Sequence, residues 1–131
     1  MITFDARRIW DFETIQPVYK IVRNGKCLLD DFVTRIESDK NLAPELGDLF
    51  AIVEDIANCK LNPRHRKLHL SKHLRHSGYE AKSKHLRLYL FHEKGSGQIL
   101  IFGGKKGEQA EDIKRFEKII HEYTTFKSRK K

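Results

Sequence analysis

The sequence predicts an α+β domain, with two helices in its first half and one near its C-terminus packed on a mainly antiparallel, twisted sheet of about four strands. Three observations carry this. The run Leu86–Glu93, the turn residues Gly95, Ser96 and Gly97, and the apolar run 98–102 together read as a β-hairpin at the centre of the fold. Two earlier stretches repeat apolar residues with helical period. After the glycine- and lysine-rich segment 103–107, Ile113, Phe116, Ile119, Ile120 and Tyr123 again keep helical spacing.

Taken in order, residues 1–26 form an N-terminal extension with candidate strands over 8–15 and 18–22, separated by Pro17. Asn24-Gly25 marks a turn. Leu28, Leu29, Phe32, Val33 and Ile36 share one helical face, which predicts a helix over 27–38. Pro44 suits a first helical turn, and Leu46, Leu49, Phe50, Val53, Ile56 and Ala57 extend a second helix to about Asn58. Neither stripe can be hidden alone, so the two helices are expected to pair over one sheet face. Residues 61–78 are dense in cations and histidines and read as an exposed basic loop with a short strand near 67–70. Residues 79–84 are expected to form a strand beside Leu86–Glu93. The whole is one domain over 1–126, followed by a basic, solvated tail over 127–131.

With 26 Lys and Arg against 18 Asp and Glu among 131 residues, the net charge is +8. That surplus favours a polyanion or an acidic protein as partner. Cys27 and Cys59 have no ligand spacing and read as buried free thiols of a reducing, cytoplasmic protein. No stretch has the length and apolarity of a membrane span, and the first residues lack the order of a secretory signal.

Three constellations bear on chemistry. His69, His73 and His76 have helical zinc-ligand spacing, but no nearby Asp, Glu or Cys completes a shell and the surrounding cations oppose a metal, so no metal site is assigned. Gly103-Gly104-Lys105-Lys106 lacks the spacing of a phosphate-binding Walker loop, yet offers amides and two ammonium groups to an anion at the sheet edge. Along the hairpin strand, alternation sets Arg87, Tyr89 and Phe91 on the face opposite Leu86, Leu88 and Leu90. A mid-strand arginine needs a solvated groove or an anionic partner, and cross-strand pairing with Glu80 or Glu93 is the plain structural alternative. Lys82 and Lys84 are placed to reach the Arg87 face.

These residues resemble the RelE/ParE superfamily of bacterial toxins, in its RelE/HigB-like branch. The features that match are Tyr79-Glu80-Ala81-Lys82, then Leu86-Arg87-Leu88-Tyr89-Leu90-Phe91, the apolar strand 99–102, Gly104-Lys105-Lys106, and the start of a terminal helix at Gln109-Ala110-Glu111-Asp112-Ile113. The resemblance covers about half of the chain closely and the helical pair loosely. It implies a toxin that cuts messenger RNA on the ribosome and is neutralised by a cognate antitoxin protein. It also implies that Arg87 contacts the scissile phosphate, that Lys105 or Lys106 supplies the basic residue after the last strand, and that Lys82 or Lys84 supplies the lysines of the preceding strand. Many members carry arginine where Lys82 stands, and their C-terminal proton donor has no secure counterpart, leaving His85, His92 and Tyr89 as substitutes by proximity.

The chemistry expected of such a site needs neither metal nor cofactor. A base takes the 2′-hydroxyl proton, the oxygen attacks phosphorus, and Arg87 with the lysines stabilises the phosphorane, leaving a 2′,3′-cyclic phosphate. A lysine crowded by Arg87 is one candidate for that base. Arg64, Arg66 and Lys67 extend the phosphate-binding surface. Two other readings remain: a non-catalytic RNA-binding module that stacks bases on Tyr89 or Phe91, and a ParE-like toxin directed at DNA gyrase.

Overall fold

The computed structural model describes residues 2–71, Leu74 and 76–129. Alternation along β5 (Leu86–Glu93) sets the layers. Leu86, Leu88 and Leu90 enter one core with residues of α1 (Leu28–Glu37) and α2 (Pro44–Ala57), while Tyr89 and Phe91 enter a second core with Phe116, Ile119, Ile120 and Tyr123 of α3 (Gln109–Arg129). The result has three layers: the helical pair, the sheet, and α3 on the far face.

The sheet has six strands, not about four. In space they run β1 (Phe4–Arg8), β2 (Val18–Arg23), β6 (Gly97–Lys105), β5, β4 (Ser77–Lys82) and β3 (His65–Leu68). Every neighbouring pair is antiparallel except β2 and β6, which run parallel with Val18 opposite Gln98. The hairpin of β5 and β6 is central, as its apolar content requires, since only inner strands are covered on both faces.

The N-terminal extension is where sequence and structure part. Residues 9–17, read in part as a strand, form a connection that is tied down from outside: Ala57 accepts from the Gln16 N–H and the Asn58 side chain from the Ile15 N–H. Trp10 and Ile15 are 74% and 77% exposed, so their hydrophobicity imitated a strand without burying anything. The strand lies earlier, at Phe4–Arg8, where Phe4 packs edge-on against Tyr123. Gly97, at φ +148°, is where β6 meets the end of this connection, and a Cβ there would strike the Pro17 carbonyl oxygen, which accepts from the Gln98 N–H at 2.9 Å. Another correction concerns the tail: residues 127–129 are the last turn of α3, and the Lys127 ammonium lies 3.1 Å from Glu93 on the second core.

Cys59 is exposed, contrary to the expectation of a buried thiol, and Cys27 is half-buried. Cys59 closes α2 in the left-handed conformation, φ +58°, with Lys60 donating to the Asp55 carbonyl at 2.8 Å in the manner of a helix-ending Schellman turn. That position favours glycine, so Cys59→Gly is expected to raise stability by about 1 kcal/mol in a urea unfolding series, with the m-value unchanged.

Candidate functional site

The antiparallel registers bring cationic residues from four segments to one end of the sheet. Lys82 closes β4 and pairs with Arg87, which in turn pairs with Gly104 of β6. Arg64, just before β3, accepts a backbone hydrogen bond from the Lys82 N–H at 2.9 Å, and the Lys106 N–H donates to the His85 carbonyl at 2.8 Å. Arg64, Lys82, Lys84, Lys105 and Lys106 are therefore neighbours at this end, all exposed and none in an ion pair among the described residues. Unneutralised cations gathered at one end of a sheet attract a phosphodiester backbone.

These cations do not all share one face. Lys82 pairs with Arg87 and so belongs to the α3 side, whereas Lys105 pairs with Leu86 and belongs to the side of α1 and α2. His85 is also drawn to the latter side. Its Nδ1 lies 2.7 Å from Glu45 Oε2 of α2, and its backbone N–H donates to Glu45 Oε1 at 2.8 Å. The Ser83 hydroxyl donates a short hydrogen bond to the same carboxylate oxygen. The Glu45 side chain is largely covered, yet that of His85 is 54% exposed. A carboxylate thus holds one nitrogen of the ring while the other edge meets solvent, the arrangement by which an imidazole is fixed in one tautomer for proton transfer.

Burial alone would push the Glu45 carboxyl up, but the hydrogen bonds from Ser83, the His85 backbone and the His85 ring outweigh it and bring the pKa from 4.5 down to about 2. A carboxyl depressed on folding contributes stability that is complete above its unfolded value and is lost as pH falls through the folded one. The expected result is a loss of stability between about pH 4.5 and pH 2 that is reduced in Glu45→Gln, read from urea midpoints across that range.

Arg87 and Tyr89 are not part of an open site. Arg87 is 7% exposed; its Nη1 donates to the carbonyls of Ser83 and Leu86 at 2.9 and 2.8 Å, and its Nε lies 4.0 Å from Glu80 Oε1. Glu80 is 1% exposed and is also reached by Arg66 at 3.4 Å from the sheet edge. The plain alternative, a cross-strand Arg87–Glu80 pair, describes this geometry, and the guanidinium that was to grip phosphate and crowd the lysines is engaged beneath α3. Tyr89 is fully buried, its ring 5.3 Å from that of Phe102 and 5.7 Å from that of Phe116, and burial with the nearby Glu80 and Asp112 charges pushes its hydroxyl well above the ordinary range. Neither it nor Phe91 offers a face to a base.

Of the remaining candidates, Arg66 and Lys67 are exposed along β3, the last strand of the sheet, where cations also discourage unwanted strand pairing. His92 faces Gln16, with 3.4 Å between the side-chain nitrogens. His76 Nε2 lies 3.3 Å from the Thr124 hydroxyl, and His73 falls outside the described residues. Among the described residues there is no group of three or more His, Cys, Asp or Glu side chains arranged to hold a metal, and no helix long and apolar enough to cross a membrane.

Glu45 and Ser83 are the site residues that sequence reasoning missed. Glu45 looks like an ordinary acid in a first helical turn, and nothing local shows that it meets a residue 40 positions later. Compared with protein-family models, curated proteins and solved structures, the chain matches none of them.

Proposed function

We propose that this chain is a cytoplasmic endoribonuclease toxin of the RelE/ParE type, in which His85 moves the proton and the lysine-rich sheet end holds the RNA backbone. The observation that carries this reading is the exposed His85 ring held by a largely covered, ionised Glu45 among unpaired cations. With Nδ1–H donated to Glu45, the other ring nitrogen is left with a lone pair for the 2′-hydroxyl proton. The freed 2′-oxygen attacks the adjacent phosphorus, and the P–O5′ bond breaks. The imidazolium returns its proton to the leaving 5′-oxygen, giving a 2′,3′-cyclic phosphate and a 5′-hydroxyl. Lys84, Lys105 and Lys106 are the nearest candidates to offset charge on the phosphorane oxygens. Messenger RNA on the ribosome as substrate, and an acidic antitoxin covering the same basic surface, are what the family resemblance supplies.

A second reading, RNA binding without cleavage, is favoured by the burial of Arg87 beside Glu80. The two are separated by incubating purified protein with translating ribosomes and mapping messenger ends. New ends carrying 2′,3′-cyclic phosphate are expected; binding with no new ends would replace the first reading by the second. In either reading the triple variant Lys84→Ala, Lys105→Ala, Lys106→Ala is expected to flatten the salt dependence of single-stranded RNA binding, lowering the log–log slope by about 2 in filter-binding titrations.

A further inference from the structure

β2 accompanies β6 only from Gln98 to Leu100 and then leaves it to continue beside β1. From Ile101 onward β6 keeps β5 as its one strand neighbour. The ladder fixes what this exposes. The Lys106 N–H bonds to the His85 carbonyl, so Lys106–His85 and, two residues on, Gly104–Arg87 are the hydrogen-bonded pairs. Gly103, opposite Leu88 in between, therefore turns both its N–H and its C=O away from β5 and into the gap that β2 has left. Buried backbone groups normally have partners, and the paired residues of β2 and β6 end at Leu100, short of Gly103.

The gap opens to a cleft of about 400 Å³ lined by Gly103, Phe102, Phe32, Lys26, Arg35 and Arg115, among others. Arg35 comes from α1 on one face of the sheet and Arg115 from α3 on the other, so the two flank the open strand. Each rests near an aromatic ring, Arg35 at 5.7 Å from Phe32 and Arg115 at 5.0 Å from Phe102, and neither has an ion pair among the described residues. A smaller cavity continues past Arg115 to Lys118. Across the two there are five cations and two carboxylates, and Asp31 and Glu122 already pair with Lys26 and Arg23. The Asp112 carboxyl, beside Gly104, is raised by its burial and by the Glu108 charge, against the opposing pull of Arg115 and Arg35.

We propose that this cleft binds a nucleoside phosphate, with Arg35 and Arg115 clamping the phosphate and the Gly103 N–H and C=O reading an edge of the base. A donor and an acceptor side by side match the hydrogen-bonding edge of a base better than a bare anion, which the carbonyl would repel. The forked guanidinium groups match phosphate oxygens. The volume lies within the range of small-ligand sites, about 300–1,000 Å³, and suits one nucleotide rather than a strand. The ligand is either a free mononucleotide or the phosphorylated end of an RNA chain. The site shares no residue with the His85 dyad, so it stands or falls independently of the proposed cleavage.

The test is calorimetric titration of the full chain with AMP, with inorganic phosphate, and with a short 5′-phosphorylated oligonucleotide that is 2′-O-methylated so that it cannot be cut. The expected result is binding of AMP or of the oligonucleotide at least about tenfold tighter than inorganic phosphate, weakened by about tenfold or more in Arg35→Ala and in Arg115→Ala. Which of the two probes binds identifies the source. Both arginines are exposed, so the variants are expected to keep the wild-type circular dichroism and melting curve. No binding by either probe, binding no tighter than phosphate, or affinity indifferent to both arginines would overturn the proposal.

Discussion

His85→Ala is expected to lower RNA cleavage by about 10²- to 10⁴-fold, the range associated with loss of one positioned proton-transfer group, while leaving RNA affinity within a few-fold of the original. The two effects separate because His85 is tied to a carboxylate and adds little to the field that draws in RNA, which comes from the unpaired lysines and Arg64. Glu45→Gln is expected to fall between wild type and His85→Ala, since the imidazole then loses the carboxylate that fixes its tautomer. Gel assays of cleavage beside filter binding on the same RNA measure both quantities. Cleavage at wild-type rate by His85→Ala would remove His85 from the chemistry, whatever its effect on binding.

Arg87→Ala is expected to act on stability first, lowering it by about 3 kcal/mol, the low end of what breaking a buried ion pair costs. The reason is the company Arg87 keeps. Its loss frees two carbonyls and leaves the Glu80 carboxylate, 1% exposed, with Arg66 at 3.4 Å and Gln109 at 3.4 Å as its remaining contacts. For a domain of this size the melting temperature is expected to drop by about 10 °C. Arg87→Ala together with Glu80→Gln is expected to recover part of the loss, because the buried carboxylate that has lost one of its two cationic partners is then neutral. A single variant that melts like wild type but no longer cuts RNA would return Arg87 to the active site and place α3 in a different position during the reaction.

The contrast between these two residues shows how far the sequence could be read. Alternation along Leu86–Glu93 is a local property of the chain, so the sorting of its leucines from Arg87, Tyr89 and Phe91 was legible, as were the helix boundaries to within a residue or two. Whether a mid-strand arginine meets solvent or a carboxylate depends on what lies above it. That cover is α3, whose placement across the α3-side face no local pattern encodes. The His85–Glu45 contact joins residues from opposite ends of the α2-to-β5 segment and was likewise invisible. The strand Phe4–Arg8 was missed because three of its five residues are charged, as suits the outermost strand of a sheet, while the apolar Trp10 and Ile15 beside it face solvent.

The parallel pairing of β2 with β6 also orders events as the chain is made. Val18 lies opposite Gln98, eighty positions further on, so the early hairpin and the undersides of both leading helices have no central strand to settle on until most of the polypeptide exists. Closing so long a separation is entropically slow, and the nascent protein therefore spends most of its synthesis with greasy surfaces uncovered, a period in which chaperone capture competes with misassembly.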